Sequence, residues 1–111
     1  MDLRSRVCGA VTILELAGRF DAYVAPPVEE RLRSAAAEPA QIVVNLAGVS
    51  FVDSTALATL VQGMKRCRQR GGDLHLCGLQ QPVRVIFELT RLDRAFKTFA
   101  GEDEALRAFA G

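Results

Sequence analysis

The sequence has few of the residues on which catalytic and metal sites usually depend. Its 111 residues include one histidine, three cysteines and no tryptophan. The cysteines, Cys8, Cys67 and Cys77, are odd in number and form no C-x-x-C pair. This pattern excludes a disulfide framework and a cysteine-based zinc site, and it is typical of a reducing compartment. We therefore expect a cytoplasmic protein.

The sequence also lacks a long apolar run. No run approaches the roughly 20 residues that cross a bilayer, and the N-terminal residues carry no cleavage pattern of a signal peptide. We therefore expect no membrane segment and no secretion signal.

Neither sign of charge is in excess. Fourteen basic and 13 acidic residues give a net charge of +1. Because electrostatic binding of nucleic acid needs a basic face or stripe, this balance argues against a direct nucleic-acid partner. The one local basic excess, residues 65–70, falls at the end of a predicted helix. Cations interact favourably with the helix dipole there, so we interpret this run as a solvated helix end.

Motifs of catalysis are missing as well. The single histidine, His75, falls inside a predicted strand without a second positioned group, so a structural or edge-exposed role is favoured over a catalytic one. There is no glycine-rich phosphate loop with a lysine, no Gly-x-Ser-x-Gly motif, no carboxylate pair with divided acid and base roles, and no cluster of metal ligands. We expect no enzyme, no metal and no cofactor.

The sequence does contain a regular alternation of strand and helix patterns. Half of the residues are hydrophobic and 24% are charged, which suits a packed core. The alternation predicts one α/β domain over residues 1–111, ordered β-β-α-β-α-β-α-β-α, with a mixed, mostly parallel sheet flanked by helices. Predicted strands cover residues 7–16 (two pieces around Gly9), 41–46, 74–77 and 96–99. Predicted helices cover residues 26–37, 56–70, 81–90 and 102–109, and turns fall at 18–21 and 92–93.

Residues 42–57 are the most informative segment. An apolar strand leads through a short loop to Asp53, Ser54 and Thr55, and an apolar helix pattern follows at once. The segment therefore places hydroxyls at a helix N-terminus, where backbone N–H groups lack partners and the field is positive. Two interpretations stay open on the residues alone. Asp53, Ser54 or Thr55 caps the helix, which stabilises it by about 1 kcal/mol, or Ser54 accepts a phosphate.

Three segments together resemble the STAS domain family, which includes the bacterial anti-sigma factor antagonists. They are the Gly-x-x-Asp turn in residues 16–21, the strand at 42–46, and the strand-loop-Asp-Ser element at 49–57. The turn at residues 71–74, the helix opening at 82–87 and Leu92 fit the same pattern. The resemblance covers residues 7–109, and its most specific part is the Asp-Ser element.

The resemblance implies an anti-sigma factor antagonist that works by exchanging partners. Such a protein binds an anti-sigma factor that is also a serine kinase, which frees a sigma factor. The kinase phosphorylates the serine matching Ser54 and ends the interaction, and a metal-dependent serine phosphatase restores it. By the same resemblance, Asp21 and Asp53 flank the site, Asn45 stands at the end of the neighbouring strand, and Thr55 with the start of its helix belongs to the docking surface.

Three residues near this site carry open questions. Ala56 stands where the family often has glycine, so its methyl group would narrow the choice of partner. Thr55 offers a second hydroxyl beside Ser54. Tyr23, the only tyrosine, either anchors a partner or packs at the edge of the core against the first helix. Four other aromatic residues have core spacing and are interpreted as packing: Phe87, Phe96, Phe99 and Phe109.

Other roles of the same domain remain as alternatives. The first is a STAS subunit that regulates the ATPase of a bacterial lipid-transport ABC system. A stressosome-type scaffold, a detached transporter tail and a small enzyme have less support in the sequence. Phosphorylation of Ser54 distinguishes the antagonist from the ABC subunit.

Overall fold

Strands and helices alternate along the chain in the predicted order. The computed structural model describes residues 2–35 and 39–110. Its strands are β1 (Asp2–Cys8), β2 (Val11–Phe20), β3 (Gln41–Val52), β4 (Asp73–Cys77) and β5 (Lys97–Phe99). Its helices are α1 (Ala25–Ser34), α2 (Ser54–Gln69), α3 (Gln81–Leu89) and α4 (Glu102–Ala110), with a 3-10 turn at Leu92–Arg94.

The strands form one sheet in the order β1-β2-β3-β4-β5. β1 and β2 are antiparallel, and the other three neighbouring pairs are parallel. The prediction of a mixed, mostly parallel α/β fold is confirmed.

Alternating side chains of the central strands supply two cores. Leu14, Val44 and Leu46 face the larger core, which includes buried residues of α1, α2 and α3. Ile13 and Val43 face a smaller core, which α4 covers with Ala105. The sheet is therefore a middle layer between three helices and one. The packing role of the four phenylalanines is confirmed, since they all lie in or against these cores: Phe87, Phe96, Phe99 and Phe109.

The central strands are longer than predicted, and this difference matters for the site. β3 pairs with β4 from Gln41 only as far as Asn45. Its pairing with β2 begins at the same residue but continues to Val52, at the end of both strands. The predicted turn at residues 18–21 therefore begins only after Phe20. The register shifts twice in this stretch, and such irregularities break the alternation by which a strand is recognised in a sequence.

Two smaller differences concern element ends. β1 begins at Asp2, whereas the sequence predicts a start near residue 7. The predicted start is late because an exposed edge strand can carry charged residues, which hide its apolar pattern. α1 ends at Ser34, and the part of its predicted end at residues 36–38 lies outside the described residues. The basic run at 65–70 does occupy the end of α2, where Arg68 bonds Asp73 at 2.9 Å.

His75 is a structural residue that joins β4 to α4. Its side chain is buried, with 1% of the residue exposed. The ring stacks on Phe109, with 3.8 Å between centroids and 8° between planes. Nδ1 lies 3.0 Å from the carbonyl oxygen of Ala105, so the neutral ring donates Nδ1–H to α4. The structural role favoured by the sequence is the one observed.

We predict that acid weakens the fold through His75. Burial lowers the pKa of the ring below 6.5, and Lys97 and Arg68 add to this, against the opposing effects of the Ala105 hydrogen bond and Asp73. The unfolded chain then binds more protons than the folded one as pH falls below about 6.5, so the free energy of unfolding decreases in that window. The slope from this group is at most about 1.4 kcal/mol per pH unit.

Denaturant unfolding between pH 7.5 and 5 measures this slope. The His75→Gln variant is the control, because glutamine does not titrate. We expect a shallower pH dependence in the variant, and equal slopes in both proteins would contradict the prediction.

Candidate functional site

Asp53 caps the N-terminus of α2. Its Oδ1 accepts the backbone N–H of Ala56 at 2.9 Å, and its carbonyl oxygen accepts that of Leu57 at 3.1 Å. The capping role that the sequence left open among three residues therefore belongs to Asp53. Ser54 is the first residue of the helix and is left without this structural task.

The second carboxylate oxygen of Asp53 holds the loop between β2 and α1. Oδ2 accepts the backbone N–H of Ala22 at 3.0 Å, while the N–H of Asp53 donates to the carbonyl oxygen of Phe20 at 3.3 Å. Asp21 orders the same loop from within, since its Oδ1 accepts the N–H of Tyr23 at 3.0 Å. The end of β2 and the start of α2 are thus joined beside Ser54.

Ser54 and Thr55 are both exposed on the first turn of α2. In the described part of the chain, neither hydroxyl makes a hydrogen bond. A modifying protein can reach both oxygens, and the helix field at Ser54 favours a negative group. We use the name Ser54 surface for Asp21, Tyr23, Asp53, Ser54 and Thr55.

Tyr23 does not pack at the core edge. The residue is 92% exposed, so the packing interpretation of this aromatic is wrong. An exposed tyrosine beside a candidate interface is a common type of anchor, and that role stays a prediction.

Ala56 cannot contact a partner through its side chain. The residue is 0% exposed and belongs to the larger core. Its predicted place in the partner-binding set is therefore wrong. Ala56, Leu60 and Met64 lie at helical spacing on one face of α2, and that face is buried against the sheet.

Asn45 does not lie beside Ser54. It lies opposite Glu15 of β2 and Cys77 of β4, and its Nδ2 donates to Oε2 of Glu102 in α4 at 2.6 Å. The predicted position at the end of the strand is wrong because β3 continues from Leu46 to Val52. At about 3.3 Å per residue, this length separates Asn45 from Ser54 by on the order of 20 Å.

One pair near the site was missed from the sequence. Cζ of Arg19 lies 4.0 Å from the ring centroid of Phe51, and its Nε lies 3.9 Å from Oδ2 of Asp21. Arg19 and Phe51 are register partners in β2 and β3. Both residues fall inside the family-like segments, but their contact follows from a register that the sequence does not display.

Over 2–35 and 39–110, no three side chains of histidine, cysteine, aspartate or glutamate are grouped so that they could hold a metal ion. No helix in these ranges combines the length and the apolar character that a membrane span needs.

We predict that Asp53→Ala lowers the free energy of unfolding by about 1–3 kcal/mol. The variant loses the helix cap and leaves the N–H of Ala22 without its acceptor. Ser54→Ala is the matched control, and its effect is expected to stay within about 0.5 kcal/mol. Urea unfolding of both variants measures the difference. A loss in Ser54→Ala equal to that in Asp53→Ala would show that Ser54 carries the cap.

A known family model matches most of the chain, including the sheet and the start of α2. The STAS domain model matches residues 3–105, and the chain belongs to the STAS domain family. Among its relatives is a protein of Listeria monocytogenes named anti-sigma-B factor antagonist. It is 38% identical over 78 residues, which are 69% of this chain and 68% of the relative. The chain is therefore similar to the anti-sigma factor antagonists within its family.

Solved structures support the same fold. An anti-sigma-factor antagonist (STAS) domain protein from Planctomyces limnophilus superposes with a TM-score of 0.90 over all of both chains, at 23% identity. The Bacillus cell fate determinant SpoIIAA, solved in its phosphorylated form, superposes with a TM-score of 0.74 at 20% identity. That match covers 96% of this chain and 98% of SpoIIAA. At these identities the likeness concerns the fold alone.

Proposed function

We propose that the protein is an anti-sigma factor antagonist controlled by phosphorylation of Ser54. It binds an anti-sigma factor with serine kinase activity through the Ser54 surface, and this binding releases a sigma factor. The observation that carries the proposal is the division of tasks at the start of α2. Asp53 makes the cap, so the exposed hydroxyl of Ser54 can be modified without loss of the helix.

The switching step is a phosphoryl transfer from ATP bound to the kinase. The Oγ of Ser54 forms a bond to the γ-phosphorus, the bond from that phosphorus to the bridging oxygen breaks, and ADP leaves. The hydroxyl proton passes to a base of the kinase. A metal-dependent serine phosphatase reverses the change by hydrolysis, which returns the hydroxyl and releases inorganic phosphate.

Electrostatics explain why one phosphate ends the complex. The group adds about −1.5 to −2 charges directly after Asp53 and near Asp21. In a desolvated contact these like charges are costly, and each 1.4 kcal/mol corresponds to a tenfold change in affinity. The helix terminus tolerates the anion, so the fold persists while the surface becomes strongly negative.

The comparisons support this proposal from two sides. The Listeria relative is named for antagonism of an anti-sigma factor, and the similarly folded SpoIIAA exists in a phosphorylated form. We infer in addition that the protein acts in the cytoplasm as a regulatory binding protein without catalysis of its own. Its partners are proteins, without direct contact to nucleic acid or membrane.

Phosphorylation in vitro tests the proposal. Serine kinases that co-purify with the protein from its host are incubated with it and ATP, and modified peptides are mapped by mass spectrometry. We expect one phosphate on Ser54, none on the Ser54→Ala variant, and unchanged labelling of Thr55→Val. Labelling of Thr55 in place of Ser54 would refute the assignment. Co-purification of an ABC ATPase without any phosphate on the chain would favour the lipid-transport alternative.

A further inference from the structure

Arg19 lies at the end of the β2–β3 pair, and each of its contacts is weak. Its guanidinium covers the ring of Phe51 at 4.0 Å, and its Nε is 3.9 Å from Oδ2 of Asp21. The Arg19 side chain is 66% exposed. A cation over an exposed ring and an ion pair in solvent each contribute little. Arg19 can therefore exchange these partners for a stronger one at low cost.

The surroundings of Ser54 are otherwise acidic. Asp53 directly precedes Ser54. Asp21 lies in the neighbouring loop, which is held to Asp53 by the hydrogen bond from the N–H of Ala22. Among the ion pairs of the described residues, Asp21 pairs with Arg19 and Asp53 with no basic group. A phosphate on Ser54 would add its charge to these two carboxylates. Arg19 is the cation that already pairs with one of them, Asp21.

The register of the strands places Arg19 within reach of Ser54. Arg19 stands opposite Phe51 and Phe20 opposite Val52. From residue 51 to residue 54 the chain advances at most about 10 Å, and neighbouring strands are about 4.8 Å apart. Phe20 and Val52 are buried in the larger core, on the face of the sheet that carries α2, so Arg19 and Phe51 project from the other face. Arg19 therefore has to leave Phe51 and turn past the ends of the strands to meet a phosphate on Ser54, and the extended side chains of arginine and phosphoserine together are long enough for that contact.

We propose that Arg19 senses the phosphorylation state of Ser54. In the unmodified chain it lies over Phe51 and beside Asp21, and in the phosphorylated chain its guanidinium pairs with the phosphate. A guanidinium forms two parallel hydrogen bonds to phosphate, which makes this pair stronger than its present contacts. The inference rests on the proposed modification of Ser54.

The exchange of partners changes more of the surface than the phosphate alone. When Arg19 leaves, the ring of Phe51 is uncovered and Asp21 loses its cation. A partner that docks on the unmodified surface therefore meets an uncovered aromatic ring and a carboxylate without its cation, besides the new anion. Arg19 acts as a positioning residue, since it changes the surface through its contact with the phosphate.

The ionisation of the phosphate tests this role directly. Phosphoserine is introduced at position 54 by genetic encoding, and ³¹P NMR follows the second pKa of the phosphate in the full chain. We expect Arg19→Gln to raise that pKa by about 0.5 or more, because the cation that favours the dianion is gone while the two carboxylates remain. Arg19→Lys keeps the charge but not the planar guanidinium. We expect the pKa of the phosphate in this variant to lie between the values in the parent and in Arg19→Gln.

Arg33→Gln is the matched control. It removes the same charge from α1, where Arg33 pairs with Glu29, and we expect it to change the pKa of the phosphate by less than about 0.2. Equal values in the parent and Arg19→Gln, or an equal rise in both glutamine variants, would overturn the proposal. Because the phosphate is introduced during translation, the result does not depend on whether a kinase modifies Ser54.

Discussion

Ser54→Asp is expected to lose at least about 100-fold in affinity for the partner kinase, which corresponds to about 2.7 kcal/mol. The substitution places a fixed negative charge after Asp53, at the centre of the proposed contact. Because Asp53 retains the cap, the variant should fold as the parent does. Calorimetric titration with the kinase measures the loss.

Ser54→Ala is the companion variant with the opposite expectation. It removes the acceptor and adds no charge, so it should bind the kinase with parental affinity and stay bound after ATP is added. The parent should be released under the same conditions. If Ser54→Asp binds as tightly as Ser54→Ala, phosphorylation of this residue is not the switch.

Gly72→Ala is expected to have the largest effect on stability, a loss of about 3–5 kcal/mol. A Cβ at this position would lie 1.8 Å from the carbonyl oxygen of Ala40 and 2.4 Å from its carbonyl carbon. Both are backbone atoms of the residue directly before β3, so the entry into the strand would have to move. That carbonyl oxygen also accepts the N–H of Asp73 at 3.1 Å, the contact with which β4 begins beside β3.

Gly71 provides the matched control for this substitution. It has a φ of +78°, but among the described residues the nearest atom to an added Cβ, in Pro39, is 4.0 Å away. Gly71→Ala therefore meets a conformational cost of about 1 kcal/mol without a collision. In urea, the free energy of unfolding of Gly72→Ala should be well below that of Gly71→Ala. Equal losses in the two variants would contradict the close approach of Gly72 to the Ala40 backbone.

The order of elements and the Asp-Ser junction could be predicted because both depend on local signals. A nearly unbroken apolar run marks the first part of β3, alternation marks β4, and glycine or proline marks ends of the helices α1, α2 and α3. The start of β1 and the last residues of β3 could not be predicted. The first is a charged edge strand, and the second contains shifts of register.

In the candidate site, too, some positions follow from local sequence signals and others depend on strand pairing. Ser54, Asp53 and Asp21 are close together because they follow the ends of neighbouring parallel strands, which a sequence can indicate. Ala56 could have been placed inside, since it shares the apolar stripe of α2 with Leu60. The positions of Asn45 and Arg19 depend on strand length and pairing, which only the folded chain reveals.

The affinity of the partner kinase for two forms of the chain tests the central claim most directly. One form carries genetically encoded phosphoserine at position 54, and the other carries the free serine. The proposed switch predicts tight binding of the free form and a dissociation constant at least about 100-fold larger for the phosphorylated form. Equal dissociation constants for the two forms would contradict it.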